Sequence, residues 1–248
     1  MFDFFIKKQF LKDLMEGFVD IHCHILPGID DGAANVEESL QLIEKLTQLG
    51  VSEFVATPHV MQDFYPNDAE TIGNAFQKLL EAIDASKLSN IVINPAAEYM
   101  MDEYFEEHVL NNNLFTLKKN IVLVEMSYFQ APINLVDIIW KIKKHGYIPV
   151  LAHPERYSYY HNNKEHYNRL KQLGCYFQLN LLSLSNHYGS NVQKTAEYLI
   201  NENLIDFVGT DTHKLEHIEK LEDLTLGNDL FNKLKPLFSN TNNTFSVI

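Results

Sequence analysis

The sequence predicts a single-domain parallel α/β fold in the form of a closed or distorted barrel. Two observations predict it. Seven apolar, strand-like runs alternate with stretches of helical periodicity, and six of the seven runs finish on His, Asp or Glu. In an α/β barrel the carboxyl ends of the strands share one rim, so side chains far apart in sequence meet there. A chain of 248 residues with 46% hydrophobic content is long enough for one such core.

The first run, Phe18 to His24, ends on His22-Cys23-His24. Successive strand side chains point to opposite faces, so both imidazoles are expected on one side and Cys23 on the other. Asn35, with Glu38 three residues on, is expected to cap a helix whose apolar positions Val36, Leu40, Ile43, Leu46 and Leu49 precede a stop at Gly50. The second run, Val51 to Thr57, leads to Pro58-His59. A helix from about Asp68 to Lys87 precedes the third, Ile91 to Ile93, which continues to Glu98. The fourth, Ile121 to Val124, ends at Glu125, and a helix from about Ile133 to His145 closes at Gly146 with lysines in its last turn. Tyr147 to Ala152 ends at His153. Tyr176 to Leu182 is a sixth strand without an evident ligand, and a helix over 189–202 precedes Ile205 to Gly209, which runs into Thr210-Asp211-Thr212-His213.

The expected organisation is one domain over 1–248, with 1–16 as an N-terminal extension and 239–248 as a flexible tail, since Ser239 to Thr244 is rich in Asn, Thr and Ser. Phe2, Ile6, Phe10 and Leu14 form a helical stripe expected to pack on the barrel exterior.

A formal charge of -13 argues against a basic surface for nucleic acid or anionic membrane, so an anionic substrate must be drawn by a local positive centre such as bound metal. The opening Met1 to Lys8 places its lysines after a short apolar run, the wrong order for a signal peptide, and nothing later approaches a membrane span. The two cysteines, Cys23 and Cys175, imply no disulfide framework, and a reducing cytoplasm is the expected compartment.

The candidate metal ligands are His22, His24, Asp31, His59, Glu98, Glu125, His153, Asp211 and His213. Five imidazoles and four carboxylates exceed what one tetrahedral zinc takes, so more than one ion is expected. Nitrogen and oxygen ligands without thiolate suit Mn, Fe or Zn. Three divalent ions against four carboxylates would leave a positive surplus suited to a phosphate dianion. Asp30 and Asp31 share a Pro27-Gly28-Ile29-Asp30-Asp31-Gly32 turn, in which only one of the pair need be a ligand.

His22-Cys23-His24, the Asp30-Asp31-Gly32 turn, Thr57-Pro58-His59, Glu98, Glu125, His153-Pro154-Glu155-Arg156 and Asp211-Thr212-His213 together resemble the polymerase and histidinol phosphatase (PHP) superfamily. The resemblance runs from about Phe18 to His213. It is specifically to the bacterial protein-tyrosine phosphatases associated with capsule and exopolysaccharide synthesis. It implies a distorted seven-stranded, TIM-like (βα)7 barrel carrying a trinuclear site, commonly manganese-dependent. By position, His22, His24, Glu98 and Asp211 would hold one ion. Glu98, Glu125 and His153 would hold its neighbour, with Glu98 bridging, and Asp31, His59 and His213 the third. The implied partner is the phosphotyrosine tail of a membrane-associated tyrosine kinase that controls polysaccharide assembly.

Hydrolysis of a phosphate ester needs an in-line nucleophile and positive charge on the equatorial oxygens. Metal-activated water is the expected nucleophile. No Cys-x5-Arg signature follows Cys23 or Cys175, so a thiol mechanism is not expected. The candidate catalytic residues are Arg156, His59 and His213. Arg156 is one of two arginines, the other being Arg169, and its planar fork suits phosphate oxygens. The family has a further arginine a few residues after the last Asp-x-His; here Lys214 to Ile218 contains none, and Lys214 or His217 is the candidate replacement. The loops Phe64-Tyr65-Pro66 and Arg156 to His161 are aromatic-rich and placed to stack a phenol ring. His108, His145, His166 and His187 lack motif context and read as surface or helix residues. Two other readings use the same residues. One is a small-molecule phosphatase of the histidinol-phosphate kind, which substrate comparison separates; the other is a metal-binding regulatory protein, which would load metal without turnover.

Overall fold

A computed structural model describes residues 9–86, 88 and 91–247. In chain order the elements are β1 (Gln9–Phe10), β2 (Phe18–Cys23), α1 (Val36–Gln48), β3 (Val51–Ala56), β4 (His59–Val60), α2 (Ala69–Asp84), β5 (Val92–Pro95), β6 (Glu98–Met100) and α3 (Glu103–Leu110). There follow β7 (Ile121–Glu125), α4 (Leu135–Lys144), β8 (Ile148–Ala152), α5 (Glu165–Gln172), β9 (Tyr176–Asn180), α6 (Ser190–Asn201), β10 (Phe207–Gly209), α7 (Leu215–Asp223), β11 (Thr225–Leu226) and α8 (Asn228–Phe245). The helix starts follow from capping chemistry. Asn35 Oδ1 accepts from the Glu38 amide at 2.9 Å, and the Glu38 carboxylate accepts from the Ala34 amide at 3.0 Å. Asp68 and Thr71 form a reciprocal capping box at the start of α2. The far end of the expected 68–87 helix, Lys87, lies outside the described residues.

The fold is a mixed α/β arrangement of parallel sheets. Six strands pair in the order β10-β9-β8-β7-β6-β4 and three in the order β2-β3-β5, all in parallel. The expected second and third runs are each broken in two. Pro58, which has no amide proton, separates β3 from β4, and Ala96-Ala97 separates β5 from β6. Pairing continues across the break, with the Ala96 amide donating to Ala56 O at 2.8 Å and the Glu98 amide to Pro58 O at 3.0 Å. On the other side β2 meets the end of β10. The Asp211 amide donates to His22 O at 2.7 Å and the His24 amide to Thr212 O at 2.9 Å. Thr210 there donates both its amide and its hydroxyl to buried Asp20, at 3.0 and 2.6 Å.

The β2–β3 register shifts between Asp20 and Cys23, so β2 carries an extra residue against β3. The bulge reverses the alternation of faces. Val19 and Ile21 pack in an inner apolar cluster with Val55, Leu123, Val150 and Phe207, whereas Cys23 packs outward with Phe18 and Phe54. His22 and His24 thereby take over the inward face.

Three further expectations need correction. Phe10 lies in β1, which pairs antiparallel with β11, and Leu14 lies in a 3-10 turn over Leu11–Leu14. They do not form a helical stripe, and its other members, Phe2 and Ile6, lie outside the described residues. The tail expected to be flexible is the last part of α8, with Thr241 and Phe245 buried. Its polar composition has a structural use that composition alone conceals. Thr241 Oγ1 accepts from the Val208 amide at 3.0 Å, and Asn242 bridges the Val19 amide and Gly17 O at 2.9 and 3.0 Å. These residues satisfy backbone groups at the starts of β2 and β10, which would otherwise be buried without partners. The expected sixth strand stops at Asn180, whose side chain accepts from the Leu182 amide at 2.8 Å and starts a 3-10 turn.

Candidate metal and active site

All nine expected ligand residues converge at the carboxyl ends of the strands. His22 and His24 come from the end of β2, His59 and Glu98 from the first positions of β4 and β6, and Glu125 from the last of β7. His153 follows β8, and Asp211 and His213 follow β10. His22 Nε2 lies 3.3 Å from His24 Nε2, 3.1 Å from Glu98 Oε2 and 3.3 Å from Asp211 Oδ1. His153 Nε2 lies 2.9 Å from Glu98 Oε1, so the two oxygens of Glu98 face different histidines. His59 and His213 each bring Nε2 to 3.5 Å from Asp31 Oδ1.

These donor atoms form four overlapping groups, within each of which they lie no more than 4.8 Å apart: His24-Asp31-His59-His213, His22-His24-Asp211, His22-Glu98-His153 and His59-Glu98-Glu125. The last contains three buried atoms without a hydrogen-bond partner, His59 Nδ1, Glu98 Oε2 and Glu125 Oε1. His59 Nδ1 is 3.1 Å from the first oxygen and 3.0 Å from the second, yet hydrogen-bonds to neither. Buried polar atoms left unpaired cost roughly 1–3 kcal/mol each. Three of them facing one another fit a shared cation, and the nitrogen–oxygen set without thiolate fits a divalent ion. Cys23 Sγ points away, donating to Val55 O at 3.6 Å.

A second ring of side chains fixes the imidazoles. His22 Nδ1 donates to Gln178 Oε1 at 2.8 Å, His24 Nδ1 to Asp30 Oδ2 at 2.8 Å, and His213 Nδ1 to Asp211 O at 2.9 Å. Each bond places the proton on Nδ1 and turns the Nε2 lone pair inward. The turn aspartates are thus divided: Asp31 faces His59 and His213, while Asp30 holds His24 and accepts from the Gly32 and His59 amides. A Cβ on Gly32 would lie 2.1 Å from His24 O, and one on Gly209 would lie 2.8 Å from His22 Cβ. Only glycine permits those approaches. His153 and Asp211 occupy the left-handed region, with φ of 35° and 52°, which for non-glycine residues is a strained conformation.

The charges reinforce one another. Burial opposes charge on Glu98 and Asp211, but the facing histidines, His22 foremost, hold both carboxyls well below their usual range. Burial likewise opposes charge on His59, but Glu125 and Glu98 push it up to about 9. Burial, then Arg156, holds His153 down. Protons held by the histidines occupy donor atoms that a cation would take, so metal binding and proton release are linked.

Arg156 Nη1 donates to Asp211 Oδ2 at 2.8 Å, and the same oxygen accepts from Asn180 Nδ2 at 2.7 Å. The guanidinium lies between two rings, 4.8 Å from the centroid of Tyr128 and 4.2 Å from that of Tyr188. It lines a cavity of about 320 Å³ whose floor includes His59, Glu125, His153 and His213, and whose walls include Phe64, Tyr65, Tyr128 and Phe129. Of the two loops expected to stack a ring, Phe64-Tyr65 brings its rings to the cavity, whereas the second brings Arg156 but none of its tyrosines. Tyr157 and Tyr160 are buried, Tyr157 donating to Ala152 O at 3.1 Å. Neither Lys214 nor His217 lines the cavity; Lys214 is exposed beside Glu216, and His217 Nδ1 accepts from the His213 amide at 3.4 Å. His108 and His166 lie on α3 and α5, His145 follows α4, and His187 lies beside Lys220.

Sequence reasoning missed Gln178 and Asn180, and also Tyr128, Phe129 and Tyr188. The signal for the first two was present: a strand described as lacking a ligand carries two amides two residues apart, on one face of an otherwise apolar run.

The profile of the family described as "Capsular polysaccharide synthesis, CpsB/CapC" matches residues 18–222. The tyrosine-protein phosphatase YwqE of Bacillus subtilis (strain 168) is 28% identical over 199 residues, spanning 80% of this chain and 78% of its own. The tyrosine-protein phosphatase CpsB of Streptococcus pneumoniae is 30% identical over 210 residues, spanning 80% and 84%. Crystal structures of YwqE from B. subtilis and CpsB from S. pneumoniae, there called unique metal-dependent tyrosine phosphatases, include a chain that superposes with a TM-score of 0.78. The identity is 24%, with 93% of this chain and 96% of that one covered. The match establishes the shared fold.

Proposed function

The chain belongs to the CpsB/CapC family of PHP-type phosphatases, and from that membership and the geometry of its site we propose that it is a metal-dependent protein-tyrosine phosphatase. The observation that carries the reading is the convergence of five histidines and four carboxylates, six of them lining a cavity and His22, His24 and Glu98 buried behind it, beside a partly exposed, aromatic-clamped arginine. The acidic chain concentrates in that cavity the groups able to bind cations, and beside them an arginine able to bind phosphate.

The proposed ligand sets are His22, His24, Glu98 and Asp211 for one ion, Glu98, Glu125 and His153 for its neighbour, and Asp31, His59 and His213 for a third. His24 is close enough to the last set to join it. Manganese is the ion proposed. Bound there, divalent ions supply positive charge to a phosphoryl group and acidify water for its attack. The chain's own residues do the rest. Gln178, Asp30 and the Asp211 carbonyl orient the imidazoles, Arg156 offers its free N–H groups to phosphoryl oxygens, and Phe64, Tyr65, Tyr128 and Phe129 enclose an aromatic ring. Of the histidines that line the cavity, His59 and His213 are partly exposed and His153 is buried, so the first two are the ones a substrate would meet.

We read the two sheets as one closed, distorted seven-stranded barrel, with β3 and β4 as one broken strand, β5 and β6 as another, and β2 against β10 as the seam. The proposed substrate is the phosphotyrosine tail of a membrane-associated tyrosine kinase acting in polysaccharide assembly, dephosphorylated from the cytoplasm. No helix among the described residues is long and apolar enough to cross a membrane. The test is phosphate release from a phosphotyrosine peptide and from histidinol phosphate, by manganese-loaded and chelator-stripped protein. Metal-dependent turnover favouring the peptide supports the reading. Preference for histidinol phosphate moves it to small-molecule hydrolysis, and metal loading without release from either assigns a binding role.

A further inference from the structure

Of the eleven large apolar side chains most exposed among the described residues, five fall between 128 and 140: Tyr128, Phe129, Ile133, Val136 and Trp140. An exposed apolar stripe of this kind is informative where single exposed residues are not. It begins in the cavity, whose wall includes Tyr128 and Phe129, and runs outward along the loop into α4. Two residues past Phe129 a second hollow, of about 210 Å³, opens between that loop and α5. Ile133 and Val136 line one side, and His166, Arg169 and Leu173 the other.

The charge here runs against that of the chain. Of the seven Lys and Arg in residues 135–173, Lys141, Arg156 and Lys171 pair with Glu106, Asp211 and Asp206, which leaves Lys143, Lys144, Lys164 and Arg169 against exposed Asp137 and Glu165, whereas the whole chain carries 20 Lys and Arg against 33 Asp and Glu. Arg169 is exposed and makes no ion pair among the described residues, and Lys144 lies 4.8 Å over the Trp140 ring. An unpaired guanidinium beside exposed aliphatic side chains, on a path leading from the catalytic cavity, is suited to a polypeptide with apolar and acidic residues.

We propose that this groove docks the polypeptide carrying the phosphotyrosine, taking an apolar residue on Ile133 and Val136 and an acidic residue at Arg169. The inference rests on the phosphatase reading and deepens it. A cavity that encloses one ring and one phosphate cannot choose among phosphotyrosines, whereas contacts remote from the phosphate add binding energy that depends on the neighbouring sequence.

The experiment compares p-nitrophenyl phosphate with short phosphotyrosine peptides carrying Asp or Glu at each flanking position in turn, using the metal-loaded full chain. The variants are Ile133→Asp and Arg169→Glu. Ile133 is 99% exposed and Arg169 is exposed, so neither change removes a buried contact. The expected result is a loss of about tenfold in kcat/KM on the best acidic peptide, with p-nitrophenyl phosphate within about twofold of the unaltered protein. Equal losses on both substrates, or no loss on either, would overturn the proposal. Retention on phosphatidylglycerol vesicles that Arg169→Glu abolishes, or a dimer in sedimentation that Ile133→Asp dissociates, would also overturn it if peptide kinetics were unchanged. The groove would then belong to a membrane or a second copy. Failure of the unaltered, metal-loaded protein on every phosphotyrosine substrate is a separate result and would remove the phosphatase reading itself.

Discussion

Asp211 and Arg156 are bonded in the cavity, Nη1 to Oδ2 at 2.8 Å, while the other oxygen of the same carboxylate lies 3.3 Å from His22 Nε2. One side chain thus links the ligand cluster to the guanidinium and fixes the distance between them. The two ends of that link separate by mutation. Arg156→Ala is expected to keep its metal and lose about 10²-fold in kcat, the scale on which a single positioned donor to a developing oxyanion contributes. Arg156→Lys should recover little, because an ammonium cannot lie flat between Tyr128 and Tyr188. Asp211→Ala should lose metal and turnover together. Metal content by elemental analysis and turnover on a phosphotyrosine peptide decide this, and unchanged turnover in Arg156→Ala would remove that residue from the reaction.

Glu98 faces His22 with one oxygen at 3.1 Å and His153 with the other at 2.9 Å. Removing bound cations leaves that buried cluster to hold its charges by proton sharing alone. Chelation should therefore lower Tm, with a loss of about 4 kcal/mol where the free ion had stood at a thousand times its Kd. His22→Ala and Glu98→Ala should show little response of Tm to added manganese. A full manganese response in either variant would contradict the ligand assignment.

The Gln178 side chain reaches the cluster through Nδ1 of His22, and Asp30 through Nδ1 of His24 and the His59 amide. Gln178→Leu and Asp30→Asn should weaken metal affinity by roughly 10–100-fold and leave the far-UV circular dichroism unchanged. An affinity equal to that of the unaltered protein would show that ring orientation is set by packing instead.

At Gly209 an added Cβ would meet His22 Cβ at 2.8 Å and Gln178 Nε2 at 2.9 Å. Gly209→Ala should cost about 1–3 kcal/mol in urea unfolding and reduce metal binding with it. Gly227→Ala, with nothing within 4 Å, should be close to neutral.

Burial pushes the Cys175 thiol from its usual 9.0 up to about 12, outweighing the lowering by Lys143 and Lys171. A pKa raised in the folded state means the unfolded chain gives up this proton first as pH rises. The stability associated with the neutral thiol is therefore full below pH 9 and declines between about 9 and 12, by up to about 1.4 kcal/mol per pH unit. Unfolding of Cys175→Ala should lack that part of the alkaline decline. Identical slopes for both proteins over this range would disprove it.

Short-range signals in the sequence were enough for the seven strand runs, for α1, α2, α4 and α6, for the cap at Asn35 and for all nine ligand candidates, but not for α3, α5, α7, α8 or the β1–β11 pair. Candidate ligands at strand ends advertise themselves as polar or charged residues closing apolar runs. The sequence also identified the family, because its motifs lie on the same rim. Other features required contacts between distant segments. Nothing local to Asn242 or Thr241 says that they satisfy the amides of Val19 in β2 and Val208 in β10, so the last turns of α8 read as a frayed tail. Nothing local to Tyr128 and Tyr188, 60 positions apart, says that they enclose one guanidinium. The division between Asp30 and Asp31 depended on where His24 and His59 approach the turn. Local spacing and side-chain chemistry determined which residues could bind metal; the closing of β2 against β10 decided which of them face a common point, because burial and hydrogen-bond partners exist only once remote strands are brought together.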